Sequence, residues 1–510
     1  MKRAAATLLA LFLAGGAAVG KPRVPWTTFI EEQVRIPSFG AVTVYRPEPV
    51  RQTRGVVLFV SGDGGWNLGV VTMARRAAPR AIVVGLSMPE WRTLAEKTPS
   101  GCWYPAGELE ATAQAVEKIY KLPRYLPPIL VGYSSGATLV YGALAQAPAG
   151  TFAGAISLGF CPDLTVARPL CSREEWKPAY DAGKKRNLLP PCPNLGPRDD
   201  GKALWTALQG QIDKVCDPPS VKRFVSQVPG GRLVPLPKVG HGFSRVNRWE
   251  ESFDRAIDAL LPARSAWAPL AGEADRPPRD LSQSGIEDRL EALRLPLIVD
   301  WADAAQEVVI FVSGDGGWAE LDRELAYDLT ASGVAVVGWD SLDYFWERKT
   351  RSQFLADLLR LVEAMPKGVR VFVGGYSFGA EIVAVALGRS LSQDTSALSE
   401  IAGLLLVAPG PYATYEVSPL DWLRSTEAPT KHPVRRALEA DAGVPVLCLE
   451  PSDESESGCP QHAIPGVTRD VVPGGHHFGG HYERLSQRIL QFLSPSPAAG
   501  SGDTDLSRSP

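Results

Sequence analysis

One sequence pattern occurs twice in this 510-residue chain, once in each half. Residues 56–66 read VVLFVSGDGGW and residues 308–318 read VVIFVSGDGGW. A Gly-Tyr-Ser-x-Gly segment follows each copy, at residues 132–136 and at residues 375–379. Because the order of the two motifs is the same in both halves, the repeat predicts two tandem domains of related fold, each of roughly 220 to 240 residues.

The elements around these motifs indicate the fold class. In each half, short apolar runs alternate with longer helical patterns, which is typical of βαβ units and a parallel sheet. The predicted strands are residues 56–60, 81–84, 129–131, 153–158, 204–208 and 233–236, and then 308–312, 334–337, 371–373, 404–407, 444–449 and 471–472. An apolar strand before a glycine-rich loop, and a later strand before Gly-x-Ser-x-Gly, build the oxyanion hole and nucleophile elbow of an α/β-hydrolase. The sequence therefore predicts an α/β protein with two tandem α/β-hydrolase-like domains, each a mostly parallel sheet flanked by helices.

Composition indicates a globular protein, gives no support for nucleic-acid binding, and changes along the chain at the predicted domain boundaries. Hydrophobic residues make up 45% and charged residues 21% of the chain, as in a globular protein. A net charge of -3 gives no argument for nucleic-acid binding. The predicted segments are a signal peptide at 1–20, a first domain at 21–262, a Pro-rich linker at 263–280, a second domain at 281–494 and a disordered tail at 495–510.

The N-terminus predicts export. Met1-Lys2-Arg3 is positively charged, an apolar run follows, and Ala18-Val19-Gly20 provides a small-residue cleavage site. The alternative is an uncleaved membrane anchor, but the apolar run is shorter than the ~20 residues that span a bilayer. We therefore expect cleavage after Gly20 and a periplasmic protein.

Seven cysteines fit an oxidising compartment. Cys448 and Cys459 stand alone in the second half, so they predict a disulfide with each other. The first half has five cysteines, which leaves at least one unpaired unless the halves cross-link. Since there is no Cys-x-x-Cys and no zinc-ligand spacing, we predict no metal and no cofactor.

The serines and histidines predict nucleophilic catalysis. Ser134 and Ser377 are the central residues of the two Gly-Tyr-Ser-x-Gly segments, each between a predicted strand and a helix. His241 is the only histidine of the first half, and His476 matches it against a shared Gly and Phe in the second. These residues are therefore the predicted nucleophiles and general bases, with His477 as the competitor of His476.

The third member of each triad is an acid that orients the histidine. After the penultimate strand, the first half offers Asp213 with Asp217 close behind, and the second half offers the run Glu450-Pro451-Ser452-Asp453-Glu454. Asp213 and Asp453 are the predicted acids.

The oxyanion hole needs backbone N–H groups that point at the developing charge. One is predicted from the residue after each nucleophile, Ser135 or Phe378, and one from the glycine-rich loop, Asp63 or Asp315. We expect the carboxylates of these two aspartates to point away from the oxyanion. The predicted substrate-binding wall of the second domain combines aromatic and acidic residues and suits an amphipathic cationic ligand: Trp318, Asp340, Asp343, Tyr344, Trp346 and Glu347.

The motifs of the second half resemble a known family. The segments 311–322, 338–346, 375–381 and 474–478 are similar to those of the bacterial virulence proteins AcvB and VirJ. The length and the signal peptide resemble AcvB, whereas VirJ is similar to the second half alone. The resemblance implies a periplasmic protein associated with type IV secretion and virulence, and for AcvB a hydrolase of lysyl-phosphatidylglycerol.

Two classes of function follow. The first is a periplasmic serine hydrolase that cleaves the aminoacyl ester of lysyl-phosphatidylglycerol at the membrane surface, with a phospholipid as its substrate. The second is a non-catalytic periplasmic adaptor that holds components of a type IV secretion system on a hydrolase fold. Retention of the serine, an acid and the histidine in both halves favours the enzyme.

Overall fold

The structure is a computed structural model. It describes residues 29–36, 39–97, 101–173, 175–198, 201–267, 285–302, 304–388, 398–415, 431–439, 443–454, 456–480 and 482–494. The predicted signal peptide, the predicted tail and residues 268–280 of the predicted linker lie outside the described residues. The predicted domain boundaries therefore stay predictions.

The first half contains eleven strands and six α-helices among its described residues. The strands are β1 (Phe29–Ile36), β2 (Gly40–Pro47), β3 (Val56–Val60), β4 (Ile82–Leu86), β5 (Ile129–Tyr133), β6 (Gly154–Leu158), β7 (Asp163–Thr165), β8 (Ala179–Asp181), β9 (Arg186–Leu188), β10 (Trp205–Gly210) and β11 (Gly231–Leu236). The helices are α1 (Leu68–Ala77), α2 (Met88–Lys97), α3 (Pro105–Ile119), α4 (Ser135–Gln146), α5 (Pro218–Val225) and α6 (Glu250–Leu260), with short 3₁₀ turns at Val50–Gln52 and Val246–Arg248.

The described part of the second half repeats this plan. Its strands are β12 (Leu297–Asp300), β13 (Glu307–Val312), β14 (Ala335–Trp339), β15 (Arg370–Tyr376), β16 (Ile401–Val407), β17 (Tyr412–Ala413), β18 (His432–Pro433), β19 (Val446–Pro451) and β20 (Val467–Val472). Its helices are α7 (Ile286–Ala292), α8 (Glu320–Ala331), α9 (Ser341–Tyr344), α10 (Arg351–Glu363), α11 (Phe378–Leu387), α12 (Val434–Leu438) and α13 (Tyr482–Leu493), with 3₁₀ turns at Leu398–Glu400 and Phe478–Gly480.

The two large sheets share one topology. The first has the strand order β1-β2-β4-β3-β5-β6-β10-β11 and the second the order β12-β14-β13-β15-β16-β19-β20. From β4 to β11 and from β14 to β20 neighbouring strands are parallel, whereas β1, β2 and β12 pair antiparallel at the edge. The predicted fold class, two tandem α/β-hydrolase-like domains with mostly parallel sheets, is confirmed.

All twelve predicted strands are present, with ends that differ by a few residues. The edge strands β1, β2 and β12 were not predicted. In β1 the side chains alternate between partly buried and exposed positions, so polar residues interrupt the apolar run. The central strand β3 is buried at every position, which is why its sequence is continuously apolar.

Helices cover both faces of the first sheet. One apolar cluster joins the sheet to α1 and α6 through Met73 and Phe253, and another joins it to α3 and α4 through Leu109 and Leu139. This arrangement leaves the loops at the carboxyl ends of the parallel strands to form a site.

The two halves contact each other directly. Trp346 donates its indole N–H to the Leu122 carbonyl oxygen at 2.7 Å, and Lys118 donates to the Trp346 carbonyl oxygen. Elsewhere in the contact, the Arg173 guanidinium lies 2.5 Å from the Glu320 carboxylate. These bonds bring α3 of the first half next to the glycine-rich loop of the second.

Three disulfides are present among the described residues. Cys448–Cys459 is formed as predicted, and the other two are Cys102–Cys171 and Cys161–Cys216. Cys192 is the unpaired cysteine of the first half, and it is buried. Within the described ranges, no helix is both long enough and apolar enough to cross a bilayer.

Candidate active sites

Both serines of the repeated motif occupy sharp turns between a strand and a helix. Ser134 has φ 55° and ψ -121°, and Ser377 has φ 51° and ψ -117°. A positive φ is costly for a residue with a side chain and recurs where function requires it. Each serine directly follows a buried strand and precedes the first turn of a helix, so its Oγ stands clear of the sheet.

The glycines of the motif are required by a close backbone approach. A Cβ added at Gly136 would lie 2.3 Å from the Ser61 carbonyl oxygen, and one added at Gly379 would lie 2.1 Å from the Val312 carbonyl oxygen. No side chain fits at such distances. The glycines therefore let the helix behind the serine pack against the strand that leads into the glycine-rich loop.

The first site contains the three predicted residues in hydrogen-bonded order. Ser134 Oγ lies 2.9 Å from His241 Nε2, and His241 Nδ1 lies 2.9 Å from Asp213 Oδ2. Asp217, the neighbouring acid, instead caps α5 by accepting from the Ser220 N–H at 2.9 Å. This chain of bonds is the geometry in which a histidine takes the proton of a serine while an acid orients it.

Four donors and a disulfide hold Asp213 in place. Its Oδ1 accepts the Val215 N–H at 2.8 Å and the Cys216 N–H at 3.0 Å, while its Oδ2 accepts from the Gln209 amide at 3.0 Å as well as from His241. The side chain of Asp213 is completely buried. These bonds fix the carboxylate in the orientation in which it accepts from His241 and can stabilise an imidazolium.

Asp213, Cys216 and His241 are also close enough together to suggest a metal site. However, Cys216 is bonded to Cys161 in a disulfide, so it has no thiolate to offer. The remaining carboxylate and imidazole already bond to each other. The cluster is therefore explained by the triad and its disulfide.

The second site has the same chain of bonds with a different acid. Ser377 Oγ lies 2.7 Å from His476 Nε2, and His476 Nδ1 lies 2.7 Å from Glu454 Oε1. The prediction of Asp453 at this position is therefore corrected to Glu454. Asp453 is held in the turn instead, because its N–H donates to the Gly474 carbonyl oxygen at 3.0 Å and its carboxylate accepts from the Ser452 hydroxyl at 2.7 Å.

His477, the competitor of His476, is bound to the tyrosine of the motif. Its Nδ1 lies 3.1 Å from the Tyr376 hydroxyl, which also donates to the His476 carbonyl oxygen at 3.0 Å. Burial, the neighbouring His476 and the Arg173 guanidinium lower the pKa of His477 to about 4. His477 therefore stays neutral near pH 7 and helps to position the loop of His476.

The two glycine-rich loops differ in how they hold their aspartates. Asp63 is directed away from the loop, and its carboxylate lies 2.6 Å from the Arg92 guanidinium. Arg92 lies six positions after the end of β4. The residue six positions after the end of β14, the corresponding strand of the second half, is the buried Phe345. Asp315 therefore lacks the corresponding arginine.

The backbone N–H groups of Asp315 and Gly316 favour the charged form of the Asp315 carboxylate. The expectation that the carboxylate points away from the oxyanion hole agrees with the ion pair of Asp63 and stays a prediction for Asp315. Desolvation by the surrounding protein raises the pKa of Asp315, and the nearby His476 opposes that rise.

Two further acids surround the second site, and sequence reasoning missed both. Glu110 lies on α3 of the first half, and its Oε1 would be 3.9 Å from a Cβ placed on Gly316. Burial, followed by the charge of Asp315, raises the pKa of Glu110 to about 8. Glu381 lies on α11 and accepts the Gly410 N–H at 3.1 Å, and burial and Asp315 hold its pKa at about 7. Glu110 and Glu381 therefore both interact electrostatically with Asp315 in the glycine-rich loop of the second site.

Most residues of the predicted substrate wall make contacts that hold the fold together. Asp340 caps α9 by accepting the Asp343 N–H at 3.0 Å, and Asp343 and Tyr344 line a separate cavity of about 330 Å³. Burial, followed by the charge of Asp340, raises the pKa of Asp343 to about 6. Tyr344 donates its hydroxyl to Asp357 at 2.7 Å. These side chains therefore make bonds that hold the fold, and their contacts with a substrate stay a prediction.

The aromatic residues of that wall are also used for packing. Trp346 is buried against the first domain, with its ring 5.6 Å from the ring of Tyr125. Trp318 packs over Gly338, where an added Cβ would lie 2.4 Å from the indole. Glu347 is exposed, and no contact of its side chain with the second site is described.

The first site opens into a cavity of about 530 Å³. Ser134 and Tyr133 lie at one end with the glycine-rich loop, and Val70, Met73 and Trp249 form its apolar side. Among the described residues that line it, Asp63 alone carries a charge, and that charge is paired with Arg92.

The second half also matches a known family in sequence. Residues 306–496 match the family model described as bacterial virulence protein (VirJ). The second domain is called the VirJ domain below because this family model matches it. The match confirms the family resemblance, and the VirJ domain contains Ser377, Glu454 and His476. A search of the curated proteins gave no match.

Several solved structures are similar to part of this chain. Est1E from Butyrivibrio proteoclasticus is 16% identical over 39% of this chain and 92% of its own, with a TM-score of 0.28. A bromoperoxidase from Bacillus anthracis is 17% identical over 39% of this chain and 95% of its own, with a TM-score of 0.30. A dienelactone hydrolase from Anabaena variabilis is 14% identical over 38% of this chain and 88% of its own, with a TM-score of 0.28. These values carry no argument about the reaction of the VirJ domain.

Proposed function

We propose that this protein is a periplasmic serine hydrolase whose VirJ domain cleaves the aminoacyl ester of lysyl-phosphatidylglycerol. The observation that carries the proposal is the hydrogen-bonded order Ser377, His476, Glu454 at the end of the parallel strands. Such an order activates a serine for attack on an acyl carbon.

The proposed reaction has two steps. Ser377 Oγ attacks the carbonyl carbon of the lysyl ester, and its proton passes to His476 Nε2. The glycerol oxygen of phosphatidylglycerol leaves as the C–O bond breaks and takes that proton. Water then attacks the lysyl-enzyme, gives a proton to His476, and releases lysine as the serine oxygen is reprotonated. Glu454 stabilises the imidazolium in both steps.

The charges around Ser377 support a cationic acyl group. A lysyl ester carries two ammonium groups close to the reacting carbonyl, and Glu110, Asp315 and Glu381 form an acidic cluster at the glycine-rich loop of the second site. An ammonium group favours the ionised form of these carboxyls, whose pKa values are raised by burial.

Labelling with a fluorophosphonate probe separates the enzyme from a non-catalytic adaptor. The probe reacts only with an activated serine, so the mature protein with Ser134→Ala should be labelled at Ser377. The matched double variant, Ser134→Ala with Ser377→Ala, should not be labelled. Equal absence of label in both proteins, with both folded by circular dichroism, would favour the adaptor.

A further inference from the structure

The first domain contains a second, chemically different site. Its triad has the same geometry as that of the VirJ domain, with Ser134, His241 and Asp213 joined by bonds of 2.9 Å. Since the family match begins at residue 306, it gives no function to this site. The question is which acyl group the site accepts.

The cavity beside Ser134 has the size and lining of a small-ligand pocket. Its volume of about 530 Å³ falls within the ~300 to 1,000 Å³ that is usual for such pockets. Val70, Met73 and Trp249 lie behind its apolar side as part of the core, so this side of the cavity is fixed by packing. Val246 lies at the rim and is 38% exposed.

The charges that surround Ser377 have no equivalent in this cavity. Asp63 is neutralised by Arg92 at 2.6 Å, whereas Asp315 has no such partner among the described contacts. Four positions after the tryptophan of each glycine-rich loop, the first domain has the apolar Val70 and the second has Asp322. Asp322 accepts the Ala319 N–H at 2.9 Å, so its buried carboxyl group is held at the start of α8.

We propose that the first domain is an esterase for uncharged acyl esters, with Ser134 as its nucleophile and the apolar cavity as its acyl pocket. Ser134 Oγ attacks the ester carbonyl carbon and passes its proton to His241, which gives it to the departing alcohol. Water then attacks the acyl-enzyme, passes a proton through His241 to the serine oxygen, and releases the carboxylic acid. The sum is one ester and one water consumed, and one acid and one alcohol formed.

The test uses the full mature chain with Ser377→Ala, which isolates the first site. Its substrates are the p-nitrophenyl esters of octanoate and of lysine. We expect octanoate to be preferred, and addition of Ser134→Ala to lower its hydrolysis by roughly 10³-fold or more. Absence of octanoate hydrolysis above buffer in the Ser377→Ala chain, or no loss on adding Ser134→Ala, would overturn the proposal.

A rim variant tests the pocket separately from the nucleophile. Val246→Trp fills the open end of the cavity without altering the buried side, so it should lower kcat/KM for octanoate roughly tenfold more than for acetate. An equal effect on both esters would contradict the assigned acyl pocket. Because lysyl-phosphatidylglycerol is absent from these assays, failure here leaves the proposal for Ser377 untouched, and the reverse also holds.

Discussion

Glu454 Oε1 lies 2.7 Å from His476 Nδ1, and Asp453, one residue earlier, is bound to Ser452 instead. This difference of one position determines which carboxylate can orient the histidine. It also provides a pair of variants that differ in role and are adjacent in sequence.

Glu454→Gln should lower kcat for the ester substrate of the VirJ domain by roughly 10² to 10⁴-fold, because an amide cannot stabilise the imidazolium as a carboxylate does. Asp453→Asn is the matched control and should change kcat by less than about threefold. Steady-state kinetics of both variants, with KM and melting temperature recorded, measure the difference. A larger fall in kcat from Asp453→Asn than from Glu454→Gln would show that Asp453, the acid predicted from the sequence, orients His476.

The acids near Ser377 should determine preference for a lysyl over an alanyl group. A hydrogen bond to a charged group is typically worth ~1.5 to 3 kcal/mol, so Glu110→Gln or Glu381→Gln should reduce that preference by roughly tenfold. Glu347→Gln, an exposed carboxyl outside the described site, is the matched control. The measurement is kcat/KM on both lipids, and an unchanged ratio in all three variants would remove the acids from substrate recognition.

Glu110 should also make stability depend on pH. Its pKa in the folded protein is raised to about 8 from an ordinary value of 4.5, so its contribution to stability is complete below pH 4.5 and is lost as the pH rises towards 8. Glu110→Gln should therefore raise the melting temperature more at pH 8 than at pH 5, by roughly 2 to 4 °C for each kcal/mol relieved. Melting curves of both proteins at both pH values test this, and a pH-independent difference would contradict it.

The Cys161–Cys216 disulfide should position the acid of the first site. Cys216 donates its N–H to Asp213 at 3.0 Å, so loss of the disulfide should loosen the carboxylate behind His241. The double variant with Cys161→Ser and Cys216→Ser should have a lower kcat for uncharged esters. The change in its KM should be smaller than the change in its kcat. The double variant should also shift the rise of kcat with pH to lower pH, because the histidine loses an anionic partner.

The control for this effect is the pair Cys102 and Cys171, whose disulfide does not contact the triad in the described contacts. Replacement of that pair by serine can lower stability but should leave the pH profile of kcat in place. If the two pairs shift the profile equally, the disulfide at Cys216 has only a structural role.

The sequence predicted the parallel strands and the two serine-histidine pairs because these depend on local patterns. Val56–Val60 is apolar at every position, and Gly-x-Ser-x-Gly is required by a turn that only small neighbours allow. The acid of the second site was missed because several carboxylates stand in one loop, and only the folded turn decides which one faces His476.

Contacts across the domain interface were beyond any local pattern. Glu110 on α3 is about 200 residues from Gly316 in the chain, and nothing in its own helix indicates that it approaches another domain. Tyr344 and Trp346 were assigned to a substrate wall because aromatic residues suit both a pocket and a core, and their hydrogen bonds to Asp357 and Leu122 show that the fold uses them.

The central claim is that Ser377 hydrolyses lysyl-phosphatidylglycerol, and its most direct test is lipid analysis of a purified reaction. Vesicles that contain this lipid are incubated with the mature protein and with its Ser377→Ala variant, and free lysine and phosphatidylglycerol are measured by mass spectrometry. The account predicts equimolar lysine and phosphatidylglycerol from the native protein, and at least about 10⁴-fold slower release from Ser377→Ala. Intact lipid with the native protein, or equal release by both proteins, would contradict it.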